Sequence, residues 1–412
     1  MRNRIAIILF VFMLAGIVFG GVYSGGTGEP NDPFIIASAN DLNEIGLNDE
    51  DWSSYFVMVN DINMADYTAT QFNVICGNHA EEGSWYTTFE GVFDGKGHVI
   101  SNLKIELDRE KVGLFGYIGN RGTVKNVSLE AVKVSGESYV GGIAGRNEGV
   151  IDNCHVRGNI NGISVCGGIT GYQGCSSSSN CSFRGQITGT SEIGGIAGRV
   201  TGGAGGGAGD NILKCYAMVE ITGEQACGGI VGHNTGGNFL MCFSKGTITC
   251  LSEAGGFAGV TYDHCGYGGV FRDCYADVTV ICSEFAGGFS GTDPGMHGQI
   301  LNCYCSGKVI YDVNDCDRVG GFIGNDQLYM KQNIANCYFL ETAGPDTGSG
   351  KSLSEEQMTQ QESFAGWDFI NVWGIGQGQT YPYLRQYSAA DISSDGVVNF
   401  ADFAILAESW LK

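Results

Sequence analysis

The side chains best spaced for chemistry lie at the C-terminal end. Asp391, Ser393, Asp395, Asn399 and Asp402 put oxygen atoms at positions 1, 3, 5, 9 and 12 of one loop, with Gly396 at position 6. Oxygen donors at these intervals, joined by the backbone carbonyl of Val397, converge on a hard dication, and glycine permits the sharp turn between them. Calcium is therefore the cofactor expected here. The residues that follow read as an amphipathic helix carrying Phe403, Leu406 and Trp410. An acidic, solvated tail is the plainer alternative.

Catalytic sets are harder to find. The chain has no His-Glu-x-x-His pair for zinc and no Gly-x-Ser-x-Gly elbow between a strand and a helix. Asp273, Asp277 and Glu284 fall close together, and paired carboxylates can hydrolyse or eliminate across a glycosidic bond. The bases such a site needs are spread out, at Arg157, Arg184 and Lys245. No catalytic residue is assigned. A polysaccharide lyase or glycoside hydrolase remains the second functional reading.

What must position any such residues is a repeat. Val112-Gly-Leu-Phe-Gly116 is followed by Gly141-Gly-Ile-Ala-Gly145, Gly167-Gly-Ile-Thr-Gly171 and Gly194-Gly-Ile-Ala-Gly198. The phrase continues at Gly228, Gly255, Gly287 and Gly320, giving eight copies. Between the copies stands a second phrase that ends in Cys154, Cys181, Cys215, Cys242, Cys274, Cys303 and Cys337. The intervals Cys154 to Gly167, Cys181 to Gly194, Cys215 to Gly228, Cys242 to Gly255 and Cys274 to Gly287 are all thirteen residues. The return interval varies and holds the insertions, the largest being Thr201–Asp210. Fixed rungs with insertions on one face describe a solenoid.

After each cysteine the pattern alternates. Cys154, Val156, Gly158 and Ile160 should face inward, with His155, Arg157 and Asn159 outward. Coils this short must stack their strands in parallel, so eight coils extend roughly 40 Å at ~4.8 Å each. The fold class expected is all-β, a right-handed parallel β-helix. The paired glycines supply either positive φ or close approach between coils. The seven column cysteines would stand in single file with Cβ atoms ~5 Å apart, too far for disulfides, and so read as buried thiols. Cys175 and Cys265 are better placed for disulfides. The residue after the column cysteine is aromatic at Tyr216, Phe243, Tyr275, Tyr304 and Tyr338. Alternation puts these rings outside the coil. They would form a strip that stacks on glycans, or a file that stacks on itself or lies beneath the inserted loops.

These phrases resemble the GLUG motif, with Val112-Gly-Leu-Phe-Gly116 as the copy nearest its name and Ile or Phe usually in place of Leu. The resemblance spans about residues 112–340. It implies a right-handed parallel β-helix of the kind found in large bacterial surface proteins and beside some secreted peptidases, without fixing one activity. The tail resembles half of a dockerin type I module, in which the twelfth position is commonly Asp. One half implies too small a face for tight cohesin docking.

Glycine contributes 68 residues and proline five, which excludes collagen. A net charge of −22 disfavours nucleic acid and anionic lipid as partners. Arg2, Arg4 and the apolar run Ile5–Phe19 read as a signal peptide, with an uncleaved anchor as the alternative. No later segment is apolar enough to span a bilayer. The expected division is 1–20 signal peptide, 21–111 first coils and cap, 112–345 repeat solenoid, 346–388 C-terminal cap and 389–412 calcium half-module. Ser352 with Glu355 is expected to box the N-terminus of a helix in the cap. Together these point to an extracellular or cell-surface protein of structural or adhesive role, whose partner is an extracellular glycan or a surface protein.

Overall fold

The computed structural model describes residues 21–386 apart from 78–87, 203–211, 263–268, 293–294, 296, 312–317 and 326–332. The chain winds as a β-solenoid with three walls. One coil shows the plan: Ala144–Asn147 in one wall, Val150–Asp152 in the next, then His155–Asn161 and Ser164–Gly167 in the long third wall. Among the described residues the strands of successive coils pair in parallel, in register apart from a bulge between Arg157 and Gly158. Ala144 stands on Thr170, Ile151 on Ser178, Val156 on Phe183 and Cys166 on Ile193. The walls are sheets of eight, eleven and eighteen strands. The eight-stranded wall takes one strand from each Gly-rich phrase, from Phe115–Ile118 to Ile323–Asn325.

The alternation is as the sequence implies for the bulky positions. Val156, Ile160, Phe183 and Ile187 are buried, while Arg157 and Arg184 are exposed. Gly158 departs from it: it is half-buried at a bulge and has φ +157°. Inside the tube, Phe239 stacks on Phe271 with centroids 4.9 Å apart, and Phe257 on Phe289 at the same distance. Those separations are the coil rise, so one residue type repeated in register becomes a continuous column.

The corners divide their work differently from the expectation for glycine. The left-handed φ falls on non-glycine residues two places before six of the glycine pairs: Tyr139, Val165, Glu192, Ala226, Glu253 and Phe285, at 49° to 61°. The paired glycines themselves are not left-handed; they are needed for closeness. A Cβ on Gly168 would lie 2.1 Å from Phe183 Cγ and 2.3 Å from the Gly195 carbonyl oxygen. The opposite corner is also left-handed, at Asn126, Asn153, Asn180, Asn302 and Asn336. Asparagine tolerates that region, and its amide bonds to the coil below. Asn153 donates to Asn126 at 2.9 Å and Asn336 to Asn302 at 3.2 Å.

The seven column cysteines are buried and unpaired. Each thiol lies 3.3 to 3.8 Å from a carbonyl oxygen of the preceding coil, for example Cys154 at Val124 and Cys337 at Ile300. The column thus places a weak donor beside carbonyls that would otherwise lack a side-chain partner. Cys175 is exposed and unpaired, and Cys265 lies outside the described residues.

Both ends of the tube are covered. Helix Ala39–Ile45, capped by Ser38, buries Leu42 and Ile45 against the first coil, and Tyr23 packs on Phe34 and Phe56. At the far end Ala343 is buried in the core and Gly350 lies over Phe322. Ser352 does not cap a helix. It sits in strand Lys351–Leu353, paired with Tyr338–Leu340, and the capping box forms two residues later between Ser354 and Gln357. Strand pairing claims Ser352 because the last coil needs a partner for its edge.

Candidate functional site

The five aromatic residues form one outward file on the long wall. Tyr216 stacks on Phe243 at 5.0 Å and 4°, Phe243 on Tyr275 at 4.8 Å and 1°, and Tyr275 on Tyr304 at 5.1 Å and 9°. Parallel register alone dictates this, because each residue stands on its counterpart one coil away. The expectation of an open strip is corrected, because all five are only 2% to 6% exposed. Segment 354–386 folds back along the side of the solenoid and covers them with Met358, Phe364, Trp367, Trp373 and Leu384. The cause is the apolar face itself, which is large enough to recruit the chain's own aromatic tail.

The cover is keyed by polar contacts. Tyr304 donates its hydroxyl to the Pro382 carbonyl at 2.6 Å, and Tyr338 accepts from the Ala365 N–H at 3.0 Å. Trp367 donates to the Asn336 carbonyl at 2.9 Å and Gln386 to that of Met241 at 3.2 Å. Burial pushes the phenols of Tyr275 and Tyr304 well above their usual range.

The clustered carboxylates do not converge. Asp273 is buried at the corner, where it accepts from Trp373 Nε1 at 3.2 Å and from Asn302 at 3.1 Å. Desolvation raises its carboxyl pKa despite those bonds. Asp277 is half-exposed beside Lys245 and Ser306, at 3.9 and 3.2 Å. Glu284 lies exposed further along the same strand. Asp273 therefore acts as a clamp for the cover, separate from the exposed Asp277.

A second outward file lies on the eight-stranded wall, where the sequence reading named none. Tyr117, Arg146, Tyr172, Arg199 and His233 stand on one another in register and are all partly exposed. The Arg146 guanidinium sits between two rings, 4.9 Å from Tyr117 and 4.8 Å from Tyr172. Glu148 pairs with Arg146 at 2.6 Å, and Glu192 pairs with Arg199 and, at 3.5 Å, with His233. Burial would raise the Glu192 carboxyl, but hydrogen bonds from His233 and Arg199 outweigh it and hold the pKa below its ordinary value. The signal was in the sequence: these are the residues directly after the last glycine of five successive phrases.

The segment expected to bind calcium, Asp391 to Asp402, lies outside the described residues, as does 1–20. Among the described residues no group of three or more His, Cys, Asp or Glu is arranged to hold a metal, and no helix is long and apolar enough to cross a membrane.

With this geometry in place, comparison with known proteins becomes specific. A family model described as the GLUG motif matches residues 136–161, which is one turn of the solenoid. The chain carries a GLUG motif. The other Gly-rich phrases stand on that turn in the neighbouring coils. Halomucin of Haloquadratum walsbyi is 32% identical over 158 residues, 38% of this chain and 2% of that protein. A protein of Evansella cellulosilytica described as a Gly-rich membrane protein is 32% identical over 158 residues, 37% of this chain and 18% of that one. The chain thus spans a small part of the length of both relatives. A crystal structure from Bacteroides ovatus, described as an immunoglobulin A1 protease, superposes with a TM-score of 0.50 at 18% identity, over 88% of this chain and 95% of that one. At such low identity the likeness is one of fold.

Proposed function

We propose that this chain is a structural and adhesive β-solenoid of the cell surface. The observation that carries the reading is the unbroken stack of parallel coils, which turns any repeated side chain into a straight file on a rigid rod. A surface setting agrees with relatives described as a halomucin and a Gly-rich membrane protein. The Tyr–Arg file from Tyr117 to His233 is the contact surface, since the file from Tyr216 to Tyr338 is covered. Guanidinium and phenol groups at coil spacing suit an extended, hydroxyl-rich glycan, and the paired carboxylates Glu148 and Glu192 hold the cations in place. The tail from Asp391 to Asp402 holds one Ca²⁺, with Val397 contributing its carbonyl, and orders the helix behind it.

A glycan and polysaccharide array with product analysis tests this reading. Binding by the wild type that falls at least tenfold in the Arg146→Ala, Tyr172→Ala double variant, with no cleavage, is the expected result. New reducing ends or unsaturated products would place the chain among β-helix enzymes instead. Undiminished binding by the double variant would remove the Tyr–Arg file from the argument.

A further inference from the structure

A second group of cysteines lies away from the seven-membered column. Cys227 belongs to strand Gln225–Gly228, and Cys250 to the next coil's long strand, Phe243–Gly255. Their sulfur atoms are 2.9 Å apart in the core, with the residues 0% and 4% exposed. Ordinary heavy-atom contact is ~3.5–4.0 Å. The two sulfurs therefore sit well inside the distance that two separate thiols would keep.

The reason is visible along the wall. In preceding coils the place of Cys250 is held by Gly162, Gly189 and Gly223. A Cβ built on Gly162 would stand 2.4 Å from Cys166 Sγ, and one on Gly223 2.6 Å from Cys227 Sγ. A side chain at this position thus aims across the bend at the neighbouring column. Where cysteine replaces glycine, the two short strands of the earlier coils become one strand of thirteen residues. Four residues after Cys250, where Cys166 and Cys227 follow Gly162 and Gly223, stands Ala254, the register partner of Cys227. Alanine leaves room there, and the thiol reaches back one coil to Cys227. The contact is convergent, unlike the single file of the other column, where parallel neighbours keep Cβ atoms about 5 Å apart and a disulfide wants about 3.8 Å.

We infer that Cys227 and Cys250 are a disulfide site that staples two successive coils from inside. The oxidant is a small or protein-borne disulfide, RS–SR. The Cys250 thiolate attacks one sulfur of the oxidant and releases one RS⁻. The Cys227 thiolate then attacks Cys250 Sγ, the mixed disulfide breaks, and a second RS⁻ leaves. Two thiol protons end on the two RS⁻ groups, so two cysteine thiols are oxidised and one external disulfide is reduced. Attack by Cys227 first, with Cys250 as the second thiolate, gives the same net reaction. Burial requires that exchange occur while the coils are assembling. Cys282, one coil further on and in register with Cys250, directs its thiol to the Glu284 carbonyl at 2.8 Å.

The test uses the full chain and does not depend on where the protein resides. Reduced, denatured protein is refolded with oxidised glutathione, then unfolded in N-ethylmaleimide and digested with trypsin. Lys214, Lys245 and Arg272 separate Cys227 from Cys250 into peptides 215–245 and 246–272. The expected result is a linked peptide pair whose fragmentation places the bond between Cys227 and Cys250, with both residues unalkylated. Reduction should lower the wild-type melting midpoint by several degrees and leave Cys250→Gly unmoved. That variant restores the residue used in the preceding coils, and Cys227→Ala serves as the second variant. Alkylation of both cysteines after oxidative refolding overturns the inference, as does a bond from Cys250 to Cys265 or Cys282.

Discussion

Trp373→Ala should detach the lateral cover without unwinding the solenoid. Trp373 is 0% exposed, with its ring 4.3 Å from Trp367, 6.0 Å from Tyr304 and 6.2 Å from Tyr275. An aromatic of this size buries ~150–250 Å², which at ~25 cal/mol per Å² is about 5 kcal/mol of transfer free energy. Measured Trp-to-Ala losses run ~3–5 kcal/mol, since partial collapse recovers some of it. A loss of about 4 kcal/mol is expected, with Asp273 losing its indole donor but keeping Asn302. Because every ~1.4 kcal/mol is tenfold, local opening of 354–386 should become about 10³-fold more frequent. Hydrogen exchange reads this directly. The amides of Met358, Val372 and Arg385, bonded within the cover, should lose about three decades of protection. Those of Ile169 and Ile196, bonded between coils, should not change. Equal loss in both sets would mean that cover and coils unfold as one unit. No loss in the cover would mean that the Trp373 contact does not hold it.

Three further outcomes follow from the same contacts. Gly168→Ala should lower the melting midpoint sharply, because its Cβ meets a ring carbon and a backbone oxygen, while Gly97→Ala meets nothing within 4 Å and bears only the strain of φ +82°, ~1–2 kcal/mol. Glu192 has a folded pKa below its ordinary 4.5, so its contribution is present above that value and is lost as pH falls through the lowered one. Glu192→Gln should therefore melt below wild type at pH 7, and the two midpoints should converge in acid; parallel curves would contradict the assignment. Calorimetry should find one calcium site in wild type and a loss of at least tenfold in affinity in Asp395→Ala; equal affinity in both would leave the tail a plain acidic segment.

The parallel solenoid was legible in the residues because a one-coil repeat has few ways to bury itself. Eight glycine phrases in phase, a constant Cys-to-Gly interval and strict alternation around Val156 and Ile160 leave stacked parallel strands as the arrangement that satisfies them all. The column thiols were legible for the same reason, since register is a local property that sequence spacing encodes. Side-chain direction was also read correctly for the ring file at Tyr216 to Tyr338. The element that covers it was not, because that depends on what else lands on a face. Trp373 is a hundred residues from Asp273 along the chain, and no repeat spacing predicts that they meet. The left-handed corners at Tyr139 and Glu192 were equally hidden, because those residue types carry no preference for that region and the stacked backbone imposes it. Register places Cys250 next to Cys282, yet its sulfur lies against Cys227. Local alternation sets which way a side chain leaves its strand, but only the bend between two walls, and the space left at Ala254, decides what it touches.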